Sequence, residues 1–179
     1  MKSKLEIAIE YATKKHMGQK RKGKNIDYIV HPLQVMEILK QNGADEETLI
    51  VGVLHDVVED TNTSLEEIES IFGANIKNLV ASESEDKSKS YRARKKEHME
   101  KLSQAQYKAK MVNCADKLSN ISDIIDDYNK QGENLWQIFN GTKEDIKWYY
   151  GLAIEALLEL NGLDMYEKLK SKYEVLKTL

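Results

Sequence analysis

The sequence predicts an all-α protein that folds as one domain. Its 179 residues fall within the usual length of a single domain. Apolar residues recur at the i, i+3, i+4, i+7 spacing of a helix, and no segment shows the alternation of β-branched and polar residues that marks a strand. A single proline and 32% charged residues are typical of long helices with charged outer faces.

The first three helices are predicted from apolar spacing and from end signals. Residues 3–16 place four apolar side chains on one face, namely Leu5, Ala8, Ile9 and Ala12. Pro32 suits the first position of a second helix, and Asn42-Gly43 suits its end. Asp45 suits the N-cap of a third helix, whose apolar residues are Leu49, Ile50, Val53, Leu54 and Val57.

The middle of the chain alternates short helices with one polar segment. Ser64 and Glu67 match a capping box for a short helix. Residues 82–90 hold no apolar side chain and are predicted to form a loop. A charged helix is expected at 91–103, and a long helix at 105–127.

Two further helices are predicted near the C-terminus. Thr142 can cap a helix that runs through Leu160, where Asn161-Gly162 ends it. The last helix carries Met165, Leu169, Tyr173 and Leu176. Aromatic clusters at 136–139 and 148–150 are typical of a core, although such side chains can also stack on a nucleobase.

Composition excludes several classes of protein. One cysteine, Cys114, rules out a disulfide framework and a site of several thiolates, and its apolar neighbours indicate a packing role. No apolar run approaches the roughly 18 residues of a membrane span, and no secretory signal is visible, so we expect a cytoplasmic protein. The net charge of −3 gives no general reason to bind nucleic acid.

The charge is nevertheless uneven along the chain. Residues 14–24 hold six lysine and arginine residues and no acid, and a second basic stretch covers 87–101. Acids concentrate at 45–69 and 123–127. Two basic stretches in a mildly acidic protein suit a small anionic ligand better than duplex DNA, while on charge alone solvated helix faces and loops are the more common explanation.

The segment VGVLHDVVEDT at 51–61 carries the strongest chemical signal. His55, Asp56, Glu59 and Asp60 stand among valines and a leucine. On a helix, His55 and Glu59 are i, i+4 neighbours, and so are the two aspartates. Burying such groups is costly unless they are paired or bind a metal, so the segment predicts a functional site rather than an exposed helix end.

Two other positions could complete a metal site. Asp116 lies among small and apolar residues of the long helix, where a carboxylate needs a partner, with Asn120 one turn later. His31 directly precedes Pro32, at or near a helix N-cap. Two histidines and two aspartates suit a divalent cation such as Mn²⁺, Fe²⁺ or Zn²⁺. A cation with open coordination positions lowers the pKa of its bound water and so supplies a nucleophile.

The ordered set His31, His55-Asp56 and Asp116 resembles the ligand pattern of the HD superfamily of metal-dependent phosphohydrolases. Three segments narrow the resemblance: HMGQKRKGKNIDYIVHP at 16–32, HDVVEDT at 55–61 and CADKLSNI at 114–121. They are similar to the hydrolase half of the RelA/SpoT alarmone enzymes and to small stand-alone alarmone hydrolases. The resemblance covers residues 3–126. We expect residues 127–179 to complete a single HD-type helical bundle over 1–179, with a central metal site.

The resemblance implies a role for each matching residue. The implied ligands of Mn²⁺, or of another divalent cation, are His31, His55, Asp56 and Asp116. The implied catalytic pair, which orients the attacking water and moves protons, is Glu59 and Asp60. The implied substrate contacts are Arg21, Lys22, Tyr28 and Asn120. His16 is expected to set the basic loop rather than to bind metal.

The activity implied is removal of the 3′-diphosphate from guanosine 3′,5′-bis(diphosphate), which gives GDP or GTP and pyrophosphate. The expected partner is this nucleotide, with neither nucleic acid nor membrane. Lys117 and Ser119 stand where the family commonly has arginine and histidine. Two alternatives are an HD-type hydrolase of another nucleotide or phosphate ester, and a non-catalytic helical module that binds metal and nucleotide.

Overall fold

The computed structural model describes residues 2–82 and 88–179, and this part of the chain is built from helices. The α-helices are α1 Lys4–Lys15, α2 Val30–Gln41, α3 Glu46–Leu54, α4 Val57–Asp60, α5 Leu65–Phe72, α6 Ala74–Ala81, α7 Tyr91–Ser103, α8 Tyr107–Gln131, α9 Lys143–Ala156 and α10 Asp164–Thr178. Short 3₁₀ helices cover Gly132–Ile138 and Leu158–Leu160. Extended pairing within the described residues is limited to one isolated bridge, between Lys20 and Asp27. The prediction of an all-α domain is confirmed.

Several helix starts follow the predicted capping signals. The Asp45 side chain accepts a hydrogen bond from the Thr48 backbone N–H at 2.9 Å. Ser64 accepts one from the backbone N–H of Glu67 at 3.2 Å. Thr142 begins α9 with a capping box that it shares with Asp145. Each cap satisfies an N–H group that the first helical turn leaves without a partner.

The prediction of one unbroken helix through the HDVVED segment is wrong. Helix α3 ends at Leu54, a turn holds His55 and Asp56, and α4 begins at Val57. The break turns both polar side chains inward, where they meet partners from other helices. His31 lies near a helix N-cap as predicted, because the N-cap of α2 is Ile29, whereas Pro32 is the third residue of the helix rather than the first.

Helix α8 is the central element of the bundle. It packs against α2, α3 and α10, while α7 packs against α9. Gly52 brings α3 close to α2, because a Cβ atom there would lie 2.5 Å from Leu39 Cδ1. Residues 83–87 of the predicted polar loop lie outside the described residues. No helix of the described chain is long and apolar enough to cross a membrane.

Candidate metal centre

Four polar side chains from three parts of the chain converge where α2 and α8 meet the turn after α3. His31 Nε2 lies 3.0 Å from Asp116 Oδ1, and His55 Nε2 lies 3.1 Å from Asp56 Oδ2. The cross distances are 3.6 Å from His31 to Asp56 and 3.7 Å from His55 to Asp116. Possible ligand atoms of His31, His55 and Asp116 all lie within 4.8 Å of one another.

The chemistry of this cluster fits a bound cation. His55 Nδ1 lies 2.8 Å from the carbonyl oxygen of Gly52 and donates its hydrogen to it. In a neutral imidazole the buried Nε2 then carries a lone pair, and it has no hydrogen-bond donor within the described residues. That lone pair faces the oxygens of Asp56 and Asp116. A metal ion bound between them would satisfy all three groups at once. Metal-binding histidines are usually oriented by a hydrogen bond from the other ring nitrogen, as His55 is by the Gly52 carbonyl oxygen.

The pKa shifts of the cluster have the same electrostatic origin. Burial disfavours the charged forms of all three groups. The carboxylates of Asp56 and Asp116 nevertheless raise the pKa of His55 well above its usual value. His55 and His31 lower the pKa of Asp56. Lys117 and the two imidazoles hold the pKa of Asp116 well below its usual range.

Asp116 is held by its own helix as well as by the histidines. Lys117 Nζ lies 2.6 Å from Asp116 Oδ2. Asn120 donates from Nδ2 to Asp116 Oδ1 at 2.6 Å, one helical turn further along α8. These contacts fix the carboxylate of Asp116 toward His31.

Tyr28 connects the cluster to the acidic pair predicted from the sequence. Its hydroxyl lies 2.7 Å from Asp56 Oδ2, to which it donates, and 3.0 Å from Asp60 Oδ2. Burial and the two carboxylates raise the pKa of Tyr28, so the hydroxyl keeps its proton. Glu59 lines the adjacent cavity, whereas Asp60 reaches the site through its contact with Tyr28.

A cavity of about 450 Å³ opens beside the cluster. It brings together most of the residues that the sequence predicted, namely Arg21, Lys22, Tyr28, His31, His55, Asp56, Glu59, Asp116 and Asn120. Its volume lies within the range of ordinary small-molecule sites. The cavity therefore has the candidate metal cluster at one end and room for a ligand of nucleotide size.

The basic loop between α1 and α2 is fastened to α8 by ion pairs that the sequence analysis missed. Arg21 lies 2.7 Å from Asp123 and 2.9 Å from the Asn120 side-chain oxygen. Lys24 lies 3.0 Å from Asp123 and 2.9 Å from Asp127. The spacing of Asn120, Asp123 and Asp127 places all three on one face of the helix, a periodic signal that could have identified them.

A further part of the cavity wall comes from α7, α9 and the segment between the first 3₁₀ helix, Gly132–Ile138, and α9. The residues of α7 were not identified from the sequence, because nothing in it links this helix to the metal motifs, whereas the aromatic clusters at 136–139 and 148–150 were considered for base stacking and assigned to the core. The lining residues here include Tyr91, Arg94, Lys95, His98, Phe139, Tyr149 and Tyr150. Tyr149 and Tyr150 are buried yet line the cavity, so they belong to both the core and the site.

Cys114 and His16, which were not predicted to bind metal, have structural roles. Cys114 is fully buried in α8, and burial raises the pKa of its thiol to about 12. His16 is also buried and bonds through Nδ1 to the Gln19 side-chain oxygen at 2.7 Å. Gln19 in turn donates to the Asp60 carbonyl oxygen at 2.7 Å. His16 thus sets the position of the loop.

Comparison with known proteins gives a family match and close relatives. Residues 8–146 match the HD domain family. The chain is 38% identical over 170 residues to the guanosine-3′,5′-bis(diphosphate) 3′-pyrophosphohydrolase MESH1 of Danio rerio, covering 92% of this chain and 89% of that protein. The Homo sapiens MESH1 is 37% identical over 163 residues, covering 89% and 86% of the two chains.

A solved structure agrees with these matches. It is described as a metazoan ortholog of SpoT that hydrolyses ppGpp and plays a role in starvation responses. The two folds superpose with a TM-score of 0.80 at 28% sequence identity, covering 100% of this chain and 98% of the other. The likeness therefore extends through the C-terminal helices.

Proposed function

The chain belongs to the HD-domain family, among the small stand-alone alarmone hydrolases, and from this premise we propose that it removes the 3′-diphosphate of guanosine 3′,5′-bis(diphosphate). The products are GDP and pyrophosphate, or GTP and pyrophosphate when the substrate carries a 5′-triphosphate. The observation that carries the proposal is the convergence of His31, His55, Asp56 and Asp116 at one end of a nucleotide-sized cavity.

Family membership implies a divalent metal ion, and the chain supplies suitable ligands. We assign its coordination to His31, His55, Asp56 and Asp116, and we propose Mn²⁺ as the ion. A mixed imidazole and carboxylate set suits Mn²⁺ as well as other first-row divalent cations. When bound, the ion supplies Lewis-acid polarisation and a water nucleophile near neutral pH.

Hydrolysis requires a water oxygen to bond to phosphorus while the bond from phosphorus to O3′ breaks. The proton released by the water must reach O3′ of the departing nucleoside. Glu59 lines the cavity, which supports a role for its carboxylate in accepting the proton. Asp60 shares the Tyr28 hydroxyl with Asp56, which supports a role in orienting the acidic pair.

The cavity walls suit a phosphorylated nucleoside. Cationic side chains from both sides face the cavity, namely Arg21, Lys22, Lys24, Arg94, Lys95 and Lys117. Such groups stabilise charge that develops on transferring phosphoryl groups. We assign Arg21, Lys22 and Asn120 to substrate binding. The Tyr28 hydroxyl is engaged by Asp56 and Asp60, so we assign Tyr28 to orienting these carboxylates rather than to the substrate contact that the resemblance implies. Phe139 is half-buried and lines the cavity, so its ring offers a face on which a base can stack. The cytoplasmic location expected from the sequence stays a prediction.

The test is a turnover assay on purified protein that has been stripped with a chelator and reloaded with Mn²⁺, Mg²⁺ or Zn²⁺. Guanosine products, pyrophosphate and orthophosphate are separated and measured. We expect GDP and pyrophosphate in equal amounts with Mn²⁺. Asp56→Ala should lose turnover by roughly 100-fold or more, because it removes a metal ligand. The control Asp126→Ala removes an exposed acid of α8 and should retain wild-type turnover.

The assay also separates the proposal from its alternatives. Orthophosphate released from nucleoside monophosphates, with guanosine 3′,5′-bis(diphosphate) left intact, would assign the same metal chemistry to another phosphate ester. Tight binding of the nucleotide without turnover under any of the three metals would make the chain a binding module.

A further inference from the structure

Ser119 of α8 lies against the face of His31 that points away from the metal cluster. The distance from His31 Nδ1 to Ser119 Oγ is 3.1 Å. Ser119 Oγ in turn lies 3.3 Å from Gln34 Oε1, to which it donates. Only 1% of His31 and 6% of Ser119 are exposed, so water has little access to this contact.

The contact arises from two facing helical turns. Helix α2 presents His31 and Gln34 at i, i+3, and α8 presents Asp116 and Ser119 at the same spacing. Residues three apart lie on one face of a helix. Because α2 packs on α8, the imidazole is held between Asp116 at Nε2 and Ser119 at Nδ1.

The direction of the hydrogen bonds follows from the number of hydrogens available. A serine hydroxyl has one hydrogen to donate and two lone pairs that accept. The Gln34 oxygen can only accept, so it takes the hydroxyl hydrogen. Ser119 Oγ is then left to accept from His31, which places a hydrogen on Nδ1. Nε2, which faces Asp116 Oδ1 at 3.0 Å, is then the ring nitrogen that can give its lone pair to a metal ion.

We propose that Ser119, oriented by Gln34, is a positioning residue that fixes the tautomer of His31 for metal binding. This inference rests on the metal site assigned under the proposed function. It places the Nε2 lone pair toward Asp116 and Asp56, where the cation would be held. A partner on the second ring nitrogen fixes the orientation of a metal-binding histidine and strengthens its basicity.

The two histidines of the site are therefore fixed in different ways. His55 donates from Nδ1 to a backbone carbonyl, that of Gly52, and no side-chain substitution removes that acceptor. His31 relies on a side chain, that of Ser119. Substitution of Ser119 consequently affects one ligand of the site and leaves the other intact.

The test compares Ser119→Ala with Ser122→Ala. Both replacements are conservative and lie on α8, but the Ser122 hydroxyl donates at 2.6 Å to Leu118 of its own helix. Mn²⁺ affinity is measured by titration calorimetry, and unfolding temperature is measured to confirm equal folding. We expect Ser119→Ala to weaken Mn²⁺ binding by about 10- to 100-fold, the usual cost of losing such a partner, and Ser122→Ala to bind as wild type.

A spectroscopic measurement reports the tautomer directly. In protein loaded with diamagnetic Zn²⁺, ¹⁵N chemical shifts show which ring nitrogen binds the ion and which carries the hydrogen. The His31 signals are assigned by their loss in His31→Gln. We expect a metal-bound Nε2 and the Nδ1–H tautomer in the wild type and in Ser122→Ala, and a mixture of bound and unbound rings in Ser119→Ala at the same Zn²⁺ concentration.

Gln34 provides an independent test from the exposed side of the contact. Gln34→Glu keeps an acceptor for the Ser119 hydroxyl and should bind Mn²⁺ at least as tightly as wild type. Gln34→Leu removes the acceptor, frees the hydroxyl to turn toward Nδ1, and should weaken binding.

Each outcome decides a different claim. Ser119→Ala that binds Mn²⁺ within twofold of Ser122→Ala and keeps the Nδ1–H tautomer overturns the inference. If His31→Gln leaves Mn²⁺ affinity unchanged, the assigned metal site itself is wrong. Loss of binding in His31→Gln together with unchanged binding in Ser119→Ala rejects only the role of the serine.

Discussion

Arg21 and Asp123 form an ion pair of 2.7 Å although they lie 102 residues apart in the sequence. The arginine comes from the loop between α1 and α2, and the aspartate comes from α8. Burial raises the pKa of Asp123, but Arg21 and Lys24 outweigh it and lower the pKa of this carboxyl. The pair therefore ties the basic loop to the helix that carries Asp116.

Asp123→Asn should destabilise the protein, because it removes the shared partner of Arg21 and Lys24. Their side chains are only 15% and 18% exposed, so a loss of about 1–2 kcal/mol is expected, between the values for surface and buried pairs. Urea denaturation measures the free energy of unfolding. Asp126→Asn makes the same change on an exposed residue of α8 and should cost less than about 0.5 kcal/mol. Equal stabilities of the two variants would show that the pair does not anchor the loop.

Tyr28→Phe should reduce kcat and leave KM for the nucleotide nearly unchanged. The hydroxyl contacts the carboxylates of Asp56 and Asp60, so its loss disturbs the reacting groups. A hydrogen bond to a charged group is worth about 1.5–3 kcal/mol, which corresponds to a fall of about 10- to 100-fold in kcat. Steady-state kinetics of the wild type and Tyr28→Phe measure kcat and KM separately. A raised KM with unchanged kcat would instead favour the substrate contact that the sequence resemblance implies.

The ionised side chain of Asp45 should stabilise the fold, and this contribution should be lost over a defined range of acid pH. Lys108 and the N-cap contacts to Thr48 lower the pKa of Asp45 to about 2 from 3.8. Because the folded-state pKa is depressed, this contribution is complete above pH 4 and is lost as the pH falls toward 2. The carboxylate is 56% exposed, so solvent screening limits the contribution to about 1 kcal/mol.

Asp45→Asn isolates that contribution, because asparagine is an equally good N-cap without the charge. We expect the variant to be less stable than wild type at pH 7 and equal to it near pH 2. Glu46→Gln is the control, because it changes the next residue and keeps the Asp45–Lys108 pair. Its free energy of unfolding should fall between pH 4 and 2 as steeply as that of the wild type. If the free energy of unfolding of Asp45→Asn fell between pH 4 and 2 as steeply as that of the wild type, the assignment would be wrong.

Cys114 should be chemically silent in the folded protein. Burial raises the pKa of the thiol to about 12, although Lys117 acts in the opposite direction. Because the thiolate is the reactive form, a thiol reagent at pH 8 should modify the unfolded protein and leave the native protein unmodified over the same time. Fast labelling of the native protein would indicate an accessible thiol and a role beyond packing.

The helices were predictable from the sequence because their signals are local. Apolar spacing and the caps at Asp45, Ser64 and Thr142 depend on residues within a few positions of one another. The break between α3 and α4 was not predictable in this way. It depends on the partners that His55 and Asp56 meet from α2 and α8, and tertiary contacts of this kind override local helical preference.

The candidate site was predictable where the motif carries the chemistry. His55, Asp56 and Asp116 are polar residues in apolar surroundings, which made them identifiable before their convergence was known, and His31 was added because it completes the set that resembles the HD ligand pattern. The α7 part of the cavity wall was not predictable, because its residues enter the site only through packing of distant helices. Ser119 likewise has an ordinary sequence context, and only its distance to His31 gives it a role.

Hydrolysis of guanosine 3′,5′-bis(diphosphate) by the Mn²⁺-loaded protein in ¹⁸O-labelled water tests the proposed activity most directly. Mass spectrometry locates the label in the separated products. We expect equal amounts of GDP and pyrophosphate, with one ¹⁸O atom in pyrophosphate and none in GDP, because water attacks phosphorus. Label in GDP, release of orthophosphate as the first product, or an intact nucleotide beside fully bound Mn²⁺ would show that the proposed activity is wrong.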